Sequence, residues 1–192
     1  MKSFFNVINL KTYVGFRDYA FMLLLTDAGI RPTETTRLKI QNVDLKNLFI
    51  HLTPDITKTS RSRSLPFSSI VRDVLKKLLE FNKEFWDSDY IFLTECGNTT
   101  NTIVFQRRFK VYSNKCNCKI TPYQLRHYFG TSYLQNSNGN LLYLQKLMGH
   151  SDLKMTKKYV KIDENMLKNN HKIATPLNNI ITRNTKVRRL FK

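Results

Sequence analysis

Apolar positions along the chain fall into stretches of distinct period, and each period predicts an element. "FRDYAFMLLLTDAG", residues 16–29, is apolar on nearly every side of a helical projection, so it reads as a buried helix with Gly29 in the C-cap position. A second helix follows at once, with Pro32 at its first position and Glu34 in its first turn. "LFIHL" and "SRSLPF" are short β-like runs. The polar "TPDITKTSR" between them is a long turn or an extra strand. "SSIVRDVLKKLLEF" is amphipathic, with Ile70, Val74, Leu75 and Leu78 on one side, and "DYIFL" is a short buried strand or extended piece. "NTIVFQRRFKVYS" predicts a basic helix.

In "ITPYQLRHYFGTSYL" the apolar stripe is Leu125, Phe129 and Tyr133, with Thr121 as cap, Pro122 in the first turn and Arg126 directed away from the stripe. Two short helices follow, "LLYLQKLMG" and "SDLKMTKKYVKI". The second takes Ser151 as N-cap and Asp152 in its first turn, and Leu153, Thr156 and Val160 build its apolar face, leaving Tyr159 off that face. The expected class is α+β, mainly α-helical with a small antiparallel β-sheet.

Charge changes the picture more than length does. The 192 residues carry 32 lysines and arginines against 14 aspartates and glutamates, a formal +18. Such an excess attracts phosphate backbones irrespective of sequence and makes binding strongly salt-dependent, so nucleic acid is the leading partner and an anionic membrane the competitor. No run approaches the roughly 18 apolar residues of a membrane span. Residues 161–192 hold eight basic residues against two acidic ones, with Pro176 and many asparagines, and read as a basic tail. Cys96, Cys116 and Cys118 form no obvious framework, and their odd number fits a reducing cytoplasm; "CNC" lacks the second close pair a zinc site needs.

Five polar residues stand at element boundaries: Arg31 and Arg126 at helix starts, Lys58 in the turn between strands, His150 in "LMGHSD" and Tyr159 in "TKKYV". Two arginine forks neutralise the non-bridging oxygens of a phosphate as charge builds in a transition state. A tyrosine on a separate short helix supplies an attacking oxygen.

Together "AGIRPTETTRL", "TKTSRSRSLPF", "TPYQLRHYFGTSYL" and "LMGHSDLKMTKKYV" resemble, in order and spacing, the tyrosine recombinase (phage integrase) family over about residues 15–165. The resemblance implies that family's catalytic-domain fold, and a site-specific recombinase or integrase of a mobile element that cuts and rejoins double-stranded DNA through a covalent 3′-phosphotyrosine. Arg31 and Arg126 look like the phosphate-clamping arginines, and Tyr159 like the nucleophile. Lys58 matches the acid that protonates the leaving oxygen, His150 helps hold phosphate, and Glu34 supports Arg31. No metal or other cofactor is implied, because the arginines act as electrophiles. Tyr123 stands where the family pattern has histidine; a phenol titrating near pH 10 is a poor base, which leaves the proton acceptor open, with His127 a neighbour or structural support.

Arg61 and Arg63 of the hairpin, with Arg107, Arg108 and Lys110 of the basic helix, are expected to track the DNA backbone. Residues 1–165 read as the catalytic domain and 166–192 as the tail. Only about fifteen residues precede the first catalytic helix, so the expectation is an excised catalytic domain without the family's N-terminal DNA-gripping domain. By the same resemblance the protein is monomeric when free and tetrameric on DNA, with 162–175 either a donor helix for a neighbouring protomer or a basic tail. The abundance of lysine and asparagine suggests an AT-rich bacterial genome. Two rivals stand beside this reading: a type IB topoisomerase-like relaxing activity, and a DNA-binding module with decayed catalysis, for which Tyr123 is the hint.

Overall fold

The long apolar stretch forms the central helix of a computed structural model that describes residues 1–57, 61–135, 140–160, 168, 171, 172, 175 and 176. This helix, α2 (Tyr13–Asp27), follows a short α1 (Lys2–Asn6); Thr12 caps it, and it ends before Gly29, whose φ of 61° turns the chain. Phe21 of α2 stacks on Phe105 of α5 (Thr102–Lys115) at a ring separation of 3.7 Å, and Phe4, Phe92, Phe109 and Tyr112 complete an aromatic core. The same helix buries a charged pair that the apolar reading passes over. Arg17 holds Asp18 at 2.6 Å and the Leu93 carbonyl at 2.8 Å, while Arg108 Nε and the Tyr112 hydroxyl, both of α5, donate to Asp18. Buried charge is tolerated here because each ionic group is hydrogen-bonded.

A three-stranded antiparallel sheet lies beyond α3 (Pro32–Thr35) and a 3₁₀ turn (Ile40–Asn42): β1 (Val43–Asp44), β2 (Phe49–Leu52) and β3 (Arg63–Pro66), in that order, with Ile50 opposite Leu65. The two β-like runs are therefore strands, and β1 adds a short third. In α4 (Ser69–Phe85) the inward face is Val71, Leu75, Leu78 and Asn82, whereas Ile70 is 65% exposed. The expected face is rotated, because polar Asn82 is wanted inside, where it donates to the Ile91 carbonyl and accepts from Tyr13. "DYIFL" is extended and joined to its neighbours by isolated bridges.

Cys116 and Cys118, which suggest no obvious framework in the sequence, form a disulfide across Asn117, whose φ of 50° turns the chain back on itself. Asp152, not Ser151, caps α8 (Leu153–Lys157), its carboxylate accepting from the Lys154 amide. Among the described residues no helix is long and apolar enough to cross a membrane. Met1–Tyr159 pack as one unit, and Val160–Lys192 belong to another. The donor-helix segment 162–175 lies almost wholly outside the described residues.

Candidate phosphate-binding active site

Three loop-to-helix junctions carry the polar residues singled out from the sequence, and the fold draws them onto the C-terminal end of α7 (Leu141–Met148). A helix leaves its last carbonyls without intrahelical partners. Here three consecutive ones each accept from a different arginine. The Leu147 carbonyl takes Arg63 Nε at 3.2 Å, the Met148 carbonyl takes Arg126 Nη2 at 2.6 Å, and the Gly149 carbonyl takes Arg31 Nη2 at 2.7 Å. The negative end of the helix dipole favours the same cations. Gly149 ends the helix with a φ of 59°, and a Cβ there would come within 3.1 Å of Arg63 and Arg31 atoms.

Arg31 is the N-cap of α3, where its amide donates to Glu34 Oε2. Glu34, fully buried, also accepts from Arg31 Nη1 at 3.1 Å and from both terminal nitrogens of Arg63 at 3.0 and 2.5 Å. Burial alone would raise the Glu34 pKa, but the hydrogen bonds and charges of Arg63 and Arg31 outweigh it and hold the carboxylate below its ordinary range. Arg63 is thus no DNA-tracking residue of the hairpin: its fork is spent on Glu34, and its side chain is 8% exposed.

Arg126, expected to face away from the apolar stripe of α6 (Pro122–Gln135), is instead buried at 6% exposure. Its Nη1 donates to the Gly29 carbonyl as well, so main-chain oxygens replace water around it. Burial, then the nearby charges of Arg31 and Arg63, push its pKa down to about 9. His150 is pushed down to about 4 by burial and then by Arg126, Arg31, Lys158 and Arg63. A neutral imidazole with Nε2 facing an arginine donor 3.5 Å away must accept there, so its Nδ1–H donates to Thr156 Oγ1 at 2.9 Å.

Tyr159 follows α8 and lies on its inner side, 7% exposed, not off the buried face as the spacing suggests. Gly130 makes room for the ring: a Cβ there would sit 2.9 Å from Tyr159 Cε1. His127 packs against the ring at a centroid distance of 4.9 Å, His150 lies parallel to it at 6.3 Å, and Lys158 Nζ is 5.1 Å from its centre. Arg31, Arg126, His150 and Tyr159 line one cavity of about 370 Å³, with Tyr123 and His127 on its rim. Tyr123 is 54% exposed.

Lys58 lies outside the described residues. Arg61 is exposed and lines a second cavity of about 850 Å³ with Tyr143 and Lys146. Arg107 and Lys110 are exposed on α5, whereas Arg108 is tied to Asp18 and Tyr112. Sequence reasoning missed the part played by Arg63, the fit of Gly130 to Tyr159 and the anchoring of His150 by Thr156. Only the glycine, inside an otherwise regular helical pattern, carried a signal.

Comparison with known proteins adds to this geometry. The model of the phage integrase family matches residues 2–166. The tyrosine recombinase XerD of Listeria monocytogenes is 31% identical over 172 residues, covering 86% of this chain and 57% of its own length. The chain therefore spans a little over half of that relative. Among solved structures, the crystal structure of XerA recombinase superposes with a TM-score of 0.73 at 24% identity, covering 91% of this chain and 62% of that one. The Tn1549 transposon integrase, solved in complex with a circular intermediate DNA, superposes at 0.77 and 22% identity, covering 90% and 63%.

Proposed function

Because the chain belongs to the phage integrase family, we propose that it is a site-specific recombinase, cutting and rejoining DNA through a covalent 3′-phosphotyrosine on Tyr159. The observation that carries this reading is the shared cavity of two carbonyl-anchored arginines and one tyrosine. Arg31 and Arg126 take the non-bridging oxygens of the scissile phosphate, and the Tyr159 oxygen attacks phosphorus. The bond to the 5′ oxygen breaks, the tyrosine proton passes to solvent water, and Lys58 protonates the departing oxygen. The diester bond energy is kept in the phosphotyrosine, so the reverse attack by a 5′ hydroxyl reseals a strand without an added energy source.

His150, neutral, supports the phosphate through Arg126: its Nε2 accepts from that guanidinium while its Nδ1–H is held by Thr156. Residues 1–165 form the catalytic domain in this reading, and 166–192 the basic tail. The reaction serves a mobile element, with the protein monomeric when free and tetrameric on paired DNA duplexes.

The test is covalent trapping. Wild type and Tyr159→Phe are incubated with a nicked attachment-type duplex in the presence of a chelator and run on denaturing gels. A protein–DNA adduct that is lost in Tyr159→Phe supports the reading. A native-gel shift without any adduct at low salt refutes it in favour of a DNA-binding module, and relaxation of supercoiled plasmid lacking any attachment site favours the topoisomerase-like rival.

A further inference from the structure

We propose that Arg63 is a positioning residue for strand cleavage: by saturating the Glu34 carboxylate it leaves the positive charge of Arg31 free for the scissile phosphate. The inference rests on the function proposed above. Arg63 is absent from the wall of the cavity that holds Tyr159, so it acts on the reacting atoms through its neighbours. Its fork reaches both Glu34 oxygens, with the shorter contact at 2.5 Å, whereas Arg31 Nη1 reaches only one of them at 3.1 Å.

A fully buried carboxylate has to be paired. Without Arg63 its partner is Arg31, three residues away, and the two together are neutral. An incoming phosphate would then compete with Glu34 for the same guanidinium. With Arg63 in place, Arg31, Glu34 and Arg63 together keep one net positive charge, and Arg126 supplies a second. That balance suits a phosphodiester whose charge rises as the tyrosine oxygen adds.

The seat of Arg63 is fixed as firmly as its charge. Its Nε is held by the Leu147 carbonyl, and its Cζ lies 3.0 Å from where a Cβ on Gly149 would be, so the guanidinium presses directly on main chain. Because Arg63 opens β3, this seat also fixes the start of that strand.

Wild type, Arg63→Met, Glu34→Gln and the double variant, each checked by thermal unfolding, separate charge from architecture. The readout is single-turnover adduct formation on saturating nicked duplex, with DNA affinity and its salt dependence measured in parallel. Arg63→Met is expected to slow the adduct by about ten- to a hundredfold, the scale on which supporting partners act, with duplex affinity and its salt dependence changing far less than the rate, because they are spread over many phosphates. Neutralising the carboxylate then releases Arg31, so the double variant recovers about tenfold or more over Arg63→Met, a coupling of the kind a double-mutant cycle measures.

A double variant no faster than Arg63→Met overturns the proposal, as does a loss confined to DNA affinity. If Arg63→Met does not fold, Arg63→Lys replaces it. That variant keeps the charge and loses the fork, and a loss beyond about tenfold there overturns the charge account. Should the wild type form no adduct, the functional reading fails separately. The charge account is then read from inorganic phosphate, whose stabilisation of the wild type in thermal unfolding should shrink in Arg63→Met and return in the double variant; failure to return overturns it.

Discussion

Gly130→Ala should uncouple the stability of this domain from its chemistry. An ideal Cβ at residue 130 lies 2.9, 3.0 and 3.1 Å from Tyr159 Cε1, Cζ and Cδ1. Carbon atoms prefer about 3.5–4.0 Å, so the ring must retreat by roughly 0.5–1 Å. The ring yields rather than the helix, because α6 is anchored by Arg126 to the Gly29 and Met148 carbonyls, while Tyr159 follows a five-residue helix. Overpacking costs about 1–3 kcal/mol, and replacing a helical glycine by alanine returns about 0.5–1 kcal/mol. The melting temperature should therefore fall only modestly. A reactive oxygen misplaced on the order of 1 Å loses about a hundredfold in rate, so adduct formation should slow by about ten- to a hundredfold. Single-turnover trapping on a nicked duplex, with thermal unfolding of the same samples, reads both quantities. A cleavage rate within about twofold of wild type, with the adduct still on Tyr159, would refute the claim that Gly130 seats the nucleophile.

Acid should destabilise the fold through His150. Its folded pKa of about 4 lies below its ordinary 6.5, so the unfolded chain binds a proton that the folded chain refuses. Stability is intact above pH 6.5 and is lost as pH falls toward 4. The full shift corresponds to about 3 kcal/mol, discounted to about 1–2 for a half-buried group; His150→Gln should flatten melting temperature against pH across that window. Arg107→Ala and Lys110→Ala should each lower the salt slope of DNA binding by about 0.9 if each neutralises one phosphate, and an unchanged slope in a native-gel titration removes α5 from the interface. Tyr123→His places an imidazole on the rim of the cavity that holds Tyr159. Adduct formation should speed up by about tenfold or more, with a new inflection near pH 6.5 in its rate profile; an unchanged profile assigns the proton acceptor elsewhere.

The parts legible in the sequence are those that depend on neighbours along the chain. The buried α2, its termination at Gly29, the start of α3 at Pro32 and the two hairpin strands follow from period, caps and turns. Arg31, Arg126, His150 and Tyr159 were found as boundary residues and do share one cavity. What failed depends on partners far away in sequence. Arg63 meets Glu34 across 29 residues and Arg108 meets Asp18 across 90, so neither could be told from a surface arginine. Hydrophobic periodicity counts arginine as polar and so puts Arg126 outside; its burial rests on main-chain oxygens, which carry no side-chain identity. The same periodicity puts Ile70 inside for the converse reason, its apolar side chain outweighing the polar Asn82 that fills the inner face.

The run of carbonyls at the end of α7 sets which kinds of genetic change this site tolerates. The acceptors at Leu147 and Met148 are main-chain atoms, so a substitution there that keeps the apolar packing of the buried Met148 leaves the atoms that hold Arg63 and Arg126 in place. Drift in length does not. One residue inserted or deleted between Leu141 and Met148 rotates the helix end by about 100° and carries all three acceptors off their arginines together. Lineages of this domain should accordingly vary at the exposed positions of α7, such as Leu142 and Tyr143, while keeping Leu144 and Met148 apolar and the helix length unchanged.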